Sequence, residues 1–357
     1  MSSFLSILIF ELKYRLKRPS YYIYSIIFFF IGLFGMAATA GALGELSGTV
    51  NSSAIANSPI AIYGLLNELN LYIFLFLIAA LIGGTTYKDF KYDMYSLLFS
   101  YPFNKGPYLL GKFVAGYIVT LSVLFSATLG MIFGTLLPGI NPDLIAPFSI
   151  SPYLQSFWIY IIPNTFFFGA ISFALVTFSR SIVVGFLVGF GLIIFQGIAN
   201  TLLSNLDYKI LSAMIDPFGF SANLFYTEYW TIYEQNENAL PWEKWVILNR
   251  VVWSALSTLI FYSIYAKFNF HQQPIRLKWP WKKEGKTQNK SNHPVIKTIS
   301  LPKVNLNFGL LNQFKQLWII TVSDLKYIIK GWSFIIISLL ALVFACLTIV
   351  LGTTILE

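Results

Sequence analysis

Residues 106–113 read GPYLLGKF. Gly106, four further residues, Gly111 and Lys112 reproduce the pattern G-x-x-x-x-G-K, in which backbone N–H groups cradle a phosphate and the lysine neutralises it. A working loop of this kind follows a buried strand, opens a soluble helix and places a Ser or Thr hydroxyl on magnesium. Here Phe113 stands where the hydroxyl is needed, and a long apolar run follows. The stretch therefore predicts no nucleotide site. Other chemistry is thinly supplied as well. His271 and His293 both lie in a polar segment, and neither a paired-acid motif nor H-E-x-x-H occurs, so a metal or proteolytic centre is not expected. Cys346 is the single cysteine, which excludes an intramolecular disulfide. No helix-turn-helix, zinc-finger or aromatic RNA-binding pattern appears, so nucleic acid is not an expected partner.

The elements around these residues explain the scarcity. Of the 357 residues, 56% are hydrophobic, 18% aromatic and only 11% charged. Soluble domains carry about 25% charged residues. The chain is expected to be an all-α polytopic membrane protein. Crossing ~30 Å of hydrocarbon takes roughly 20 apolar residues. Seven stretches qualify, at 21–43, 66–87, 109–137, 154–178, 182–203, 246–267 and 332–353. The first has no charge and is read as a retained span, because its amphipathic lead-in is long for a signal peptide and further spans follow.

Basic residues mark the cytoplasmic side of membrane proteins. With the N-terminus inside, all but three of the 24 basic residues fall in inner segments, leaving Lys209, Lys244 and Arg250 outside. The acids Asp207, Asp216, Glu228, Glu234, Glu237 and Glu243 gather in the outer loop before the sixth span. The net charge of +9 thus reports orientation and attraction to lipid headgroups.

Four segments are expected along the chain. Residues 1–20, with Phe4, Leu8 and Leu12 beside Ile7 and Leu16, form an interfacial amphipathic helix broken by Pro19. Residues 21–267 form a six-span unit. Residues 268–307 are a basic, proline-containing cytoplasmic linker. Residues 308–357 begin a second repeat, since ELKYRLKRPSYYIYS (11–25) aligns without gaps on DLKYIIKGWSFIIIS (324–338). The expectation is a chain that stops after the first span of a second unit.

The stretch TTYKDFKYDMYSLLFSYPFNKGPYLLGKF (85–113) carries an acid, a leucine pair, a proline, a short basic turn and LLGK opening the next span. It resembles the cytoplasmic loop of type-2 ABC export permeases. The N-terminal FELKYRLKRPSYYI is similar to that family's interfacial helix, and the resemblance extends over 1–267. It implies a permease subunit of a bacterial inner membrane, multi-pass with a cytoplasmic N-terminus, that exports hydrophobic or amphipathic cargo. It also implies a separate ATPase partner that holds ATP and magnesium, with no cofactor and no enzymatic activity in this chain. A second permease half or a homodimeric partner is implied too, within membrane lipid. Some permease-like membrane regions of Bacteroidota continue into a zinc aminopeptidase domain, so an anchor for such an enzyme is the alternative, and a membrane scaffold without transport is another.

In that family a coupling helix receives the ATPase's movement, here at about Tyr87–Tyr101. Phe90, Tyr92, Tyr95 and Leu98 supply a hydrophobic knob, and Lys88, Asp89, Lys91 and Asp93 a charged rim. An ordinary interfacial aromatic belt is the competing reading of these residues. Gly130 with Gly134 and Gly185 with Gly189 are small-xxx-small pairs, expected to let helices approach closely. Arg180 is expected at an inner-face turn, and Lys112 is expected to anchor the third span there. With no charge deep in a span, ion-coupled transport is disfavoured. The loop 204–245 is expected to hold short helices near Leu206–Ile215 and Phe220–Tyr233, either gating or packing over the spans.

Overall fold

The structure, a computed structural model, describes residues 3–42, 55–92, 94, 104–204, 209–268 and 309–329. Every long regular element among these is helical. The chain divides into two units, 1–275 and 276–357.

In the first unit, α1 (Ser3–Leu16) is followed by α2 (Pro19–Thr39), with Pro19 at the first helical position, where its missing N–H costs nothing. α3 runs from Pro59 to Lys91, longer at both ends than the expected 66–87. Its start is set by Ser58, whose hydroxyl accepts from Ala61 N at 3.3 Å. Glu68 therefore lies inside the helix rather than at its mouth, and it points outward. α4 spans Lys105–Gly134 and α5 spans Ser151–Ser179. α6 (Ile182–Ser204), α7 (Lys209–Ile215), α8 (Phe220–Thr227), α9 (Ile232–Glu237) and α10 (Lys244–Lys267) complete the unit. The second unit contributes α11 (Leu310–Ile329), which carries the Asp324-Leu-Lys-Tyr copy of the repeat. The expected seventh span, 332–353, and all of the linker beyond Phe268 to residue 307 lie outside the described residues.

Five helices, α2, α3, α4, α5 and α10, are long and apolar enough to cross a bilayer, and α6 is apolar over Ile182–Gly197. Their outer faces agree. Ile23, Ile26, Ile27, Phe30 and Phe34 of α2 are exposed, as are Val251, Val252, Leu259 and Tyr262 of α10. Continuous apolar faces of this size suit lipid and not water.

Close approach of α2 and α4 is written in glycine. A Cβ on Gly130 would run into the carbonyl oxygen of Phe29, and one on Gly134 would stand 2.6 Å from Leu33 O. Ser126 Oγ adds a hydrogen bond to Ser25 O at 2.9 Å. The pair Gly185 and Gly189 packs more loosely, its nearest neighbours being the Val176 and Phe76 side chains at 3.0 and 3.3 Å. Both pairs thus lie at helix contacts, the first against backbone and the second against side chains that can yield.

Two of the long helices contain wider turns. In α3, π turns occupy Asn70–Phe74 and Ala79–Gly83. Carbonyls near the second turn take extra donors, Thr85 Oγ1 to Ile82 O at 2.7 Å and Thr86 Oγ1 to Gly83 O at 3.5 Å. In α5 the π turn Phe157–Ile161 ends two residues before Pro163, whose ring would otherwise press on the carbonyl four residues back. α5 ends at Arg180, which adopts left-handed backbone with φ 53° while its N–H closes the last turn on Val176 O at 2.8 Å.

Candidate functional site

α1 carries eight aliphatic and phenylalanine residues beside one acid, Glu11, and that acid is buried. Its Oε1 receives Lys112 Nζ of α4 at 2.7 Å. The same ammonium reaches Asp89 Oδ2 of α3 at 2.8 Å and Thr85 O at 3.3 Å. All three donors of Lys112 are used. Tyr108 donates its hydroxyl to Asp89 Oδ2 at 2.7 Å, closing the network from one turn below on α4. Three helices far apart in sequence are thereby tied at one point. Gly111 makes this possible, because α1 passes so close that a Cβ there would lie 2.8 Å from Ile7 Cγ2.

This changes the reading of GPYLLGKF. Gly106 and Pro107 lie in the first turn of α4, not in a turn before it. Lys112 is not a simple anchor at the inner face but the hub of a buried ion cluster, 5% exposed. Gly111 serves close packing against α1, and Lys112 pairs with two buried carboxylates.

The residues expected to contact an ATPase divide by position. Asp89 does not sit on a charged rim, since it is buried in the network just described. Lys88 is half-buried with its ammonium 4.7 Å from the centre of the Tyr14 ring. Phe90 is half-buried under the Arg180 guanidinium, 4.5 Å from its ring centre, so the α5–α6 turn packs on the end of α3. Lys91 and Tyr92 are exposed, as is Met94 beyond them. The end of the helix thus buries Asp89, half-buries Lys88 and Phe90 on either side of it, and leaves Lys91 and Tyr92 exposed. Asp93, Tyr95 and Leu98 lie outside the described residues.

Burial alone would raise the Glu11 carboxyl, but Lys112, Arg15 and Lys88 outweigh it and hold the group below its ordinary value of 4.5. A carboxyl depressed on folding contributes stability above the ordinary pKa, and that contribution disappears as pH falls through the lowered folded value. Thermal unfolding followed by tryptophan fluorescence is therefore expected to lose midpoint as pH is taken from about 6 to below the ordinary carboxylate range. Glu11→Gln is expected to flatten that acid limb relative to the parent.

A second polar network lies toward the other end of α3, where α5 and α10 meet the 204–245 loop. Arg250, near the start of α10, is 5% exposed. It donates from Nη1 to Asn164 Oδ1 at 2.7 Å, from Nη2 to Pro217 O at 3.4 Å and to Asn249 Oδ1. Asn249 Nδ2 in turn reaches Asp216 O at 2.9 Å. The Asp216 carboxylate accepts from Phe218 N at 2.8 Å and Ser221 N at 2.7 Å, which starts α8. Tyr63 of α3 donates to Gly219 O at 3.2 Å. Of the two short helices expected in the 204–245 loop, the first is present as α7, and the second, expected over Phe220–Tyr233, breaks after Thr227 into α8 and α9; these bonds pin α7 and α8 to α3, α5 and α10. Arg250, counted with the outer-side basic residues, is a buried tether within its helix.

Among the described residues no group of histidine, cysteine and acidic side chains could hold a metal ion. The helices and their lipid-suited faces define an all-α, multi-pass membrane protein. No known family model matches the chain, and no curated protein matches it.

Proposed function

We propose that this chain is the transmembrane subunit of an ATP-binding-cassette transporter of the type-2 export-permease kind. It would sit in a bacterial inner membrane with α1 on the cytoplasmic side, moving a hydrophobic or amphipathic cargo, while a separate ATPase binds ATP and magnesium. The distribution of Lys and Arg supports this orientation. The observation that carries the reading is the junction at the end of α3. Lys91, Tyr92 and Met94 face outward there, where a partner could seat them. One turn inside, Asp89 is bonded through Lys112 to Glu11, so displacement of this segment is delivered to α1 and α4 together. α4 is in turn locked to α2 at Gly130 and Gly134. Helices joined this tightly move as bodies instead of bending locally.

The experiment is copurification of the full chain, in mild detergent, with an ATP-binding-cassette ATPase encoded beside it, followed by ATPase assay in vesicles. The expected result is a stable complex whose hydrolysis is stimulated by the permease. Tyr92→Ala combined with Met94→Ala is expected to weaken association by at least about tenfold, the loss typical of removing an interface anchor. Tyr233→Ala, also exposed but on α9, is expected to leave it unchanged. Absence of any ATPase association with the parent chain would sink the reading.

A further inference from the structure

Beside the ion cluster lies a pocket of about 160 Å³, bounded by the α1–α2 turn and by α3 and α4. Three cations line it, Arg15, Arg18 and Lys88, and none of the lining residues is acidic. Arg15 is the telling member. It is 6% exposed, yet its Nε and Nη2 lack a hydrogen-bond partner. Its Nε faces Glu11 Oε2 at 3.7 Å, an ion pair too long for a hydrogen bond, and the other Glu11 oxygen is committed to Lys112, so Nη2 has no acceptor at all. A buried guanidinium with open donors is costly unless something supplies acceptors. Arg18 and Lys88 are held on the same site by Tyr14, whose ring lies 4.2 Å from the first and 4.7 Å from the second. Like charges gathered in this way repel one another, and an anion relieves the repulsion.

The remaining walls say what else the occupant has. Leu81, Val119 and Val123 form an apolar floor, and Tyr21 and Tyr24 flank it on α2. Just beyond, α2 exposes Ile23, Ile26 and Ile27, a surface suited to hydrocarbon. A free inorganic anion would leave these walls unmatched. We infer that the pocket is a specific binding site for an anionic phospholipid, with the phosphate on Arg15, Arg18 and Lys88 and the acyl chains along α2. Arginine forks and a lysine point charge match the phosphate oxygens, and the volume exceeds what a single water needs many times over. This inference stands without the transport reading, because it rests on the pocket alone.

The test uses the full chain in nanodiscs of phosphatidylcholine, with fluorescent phosphatidic acid as the probe. Retention of phosphatidic acid over phosphatidylcholine of equal chain length is expected, and millimolar inorganic phosphate is expected not to displace it. Arg18→Gln and Lys88→Gln are each expected to weaken binding about tenfold, the worth of one charge-assisted hydrogen bond. Arg18 is exposed, so its variant should fold even where Arg15→Gln does not. Lys17→Gln removes the same charge from the same stretch but lies outside the pocket lining. It is expected to change affinity less than twofold. An equal loss in Lys17→Gln would mean diffuse attraction to a charged surface and overturn the proposal. Equal retention of the two lipids, or displacement by inorganic phosphate, would overturn it as well.

Discussion

Lys112→Ala is expected to destabilise the protein by about 3–5 kcal/mol, the range observed when one partner is taken from a buried ion pair. The substitution strands two carboxylates, Glu11 and Asp89, each buried and each within 2.8 Å of the ammonium that is removed. Thr85 O loses its lysine donor too. The Tyr108 hydroxyl remains on Asp89, but a neutral donor cannot balance a desolvated charge. Thermal unfolding in mild detergent, read by tryptophan fluorescence, measures the loss. Limited proteolysis should show α1 released first, since Glu11 and the close contact at Gly111 are what hold it to α4. The network also predicts strong non-additivity. Lys112→Met combined with Glu11→Gln and Asp89→Asn removes every charge at once and is expected to be markedly more stable than Lys112→Ala alone. A Lys112→Ala protein within about 0.5 kcal/mol of the parent, the spread of ordinary surface substitutions, would show that the cluster does not hold α1.

Gly130→Val is expected to be comparably damaging for a different reason. The new Cβ would meet Phe29 O, with Phe29 C at 2.8 Å and Leu33 N at 2.9 Å, and all three are backbone atoms. A side chain could rotate aside, whereas a helix backbone can only retreat. α2 and α4 must then separate, which loosens every contact along their shared length. Overpacking typically costs about 1–3 kcal/mol, and a clash against backbone belongs at or above the top of that range. Gly64→Ala provides the contrast. No atom lies within 4 Å of its added Cβ, and Gly64 is interior to α3. There the methyl is expected to stabilise by roughly 0.5–1 kcal/mol through the lost chain entropy of glycine. Unfolding midpoints of the two variants moving in the same direction would refute the close-approach account of α2 and α4.

These two sites differ in how far they could be read beforehand. Gly130 and Gly134 stand four apart in an apolar run, so their role as a contact stripe follows from helical periodicity alone. Lys112 offered no such pattern. Its partner Glu11 is 101 residues away, and nothing local says that the acid and the lysine meet. Asp89 was open to the same ambiguity, since a helix ending at Lys91 can turn that carboxylate in or out depending on its rotation. Only the packing of α1 across α3 and α4 turned it in. Arg250 is a similar case. An arginine four residues into an expected span reads as an end anchor, and its burial is visible only once Asn164 and the 216–221 turn are placed beside it.

What the amino-acid order by itself determined here is the solvent and the elements. The hydrocarbon thickness imposes length and apolarity on each spanning helix, and both are local properties of a stretch of chain. The N-terminal helix and the apolar helices through Lys267 were legible for that reason, and so were the short helices of the long loop apart from the break after Thr227. Tertiary structure alone decided which of the few charges are paired, where α3 and α5 widen into π turns, and that a lysine in a phosphate-loop pattern holds two carboxylates instead. A buried charge takes its partner from whichever helix face arrives opposite it. That depends on crossing, rotation and register among helices remote in sequence, and no local pattern records them.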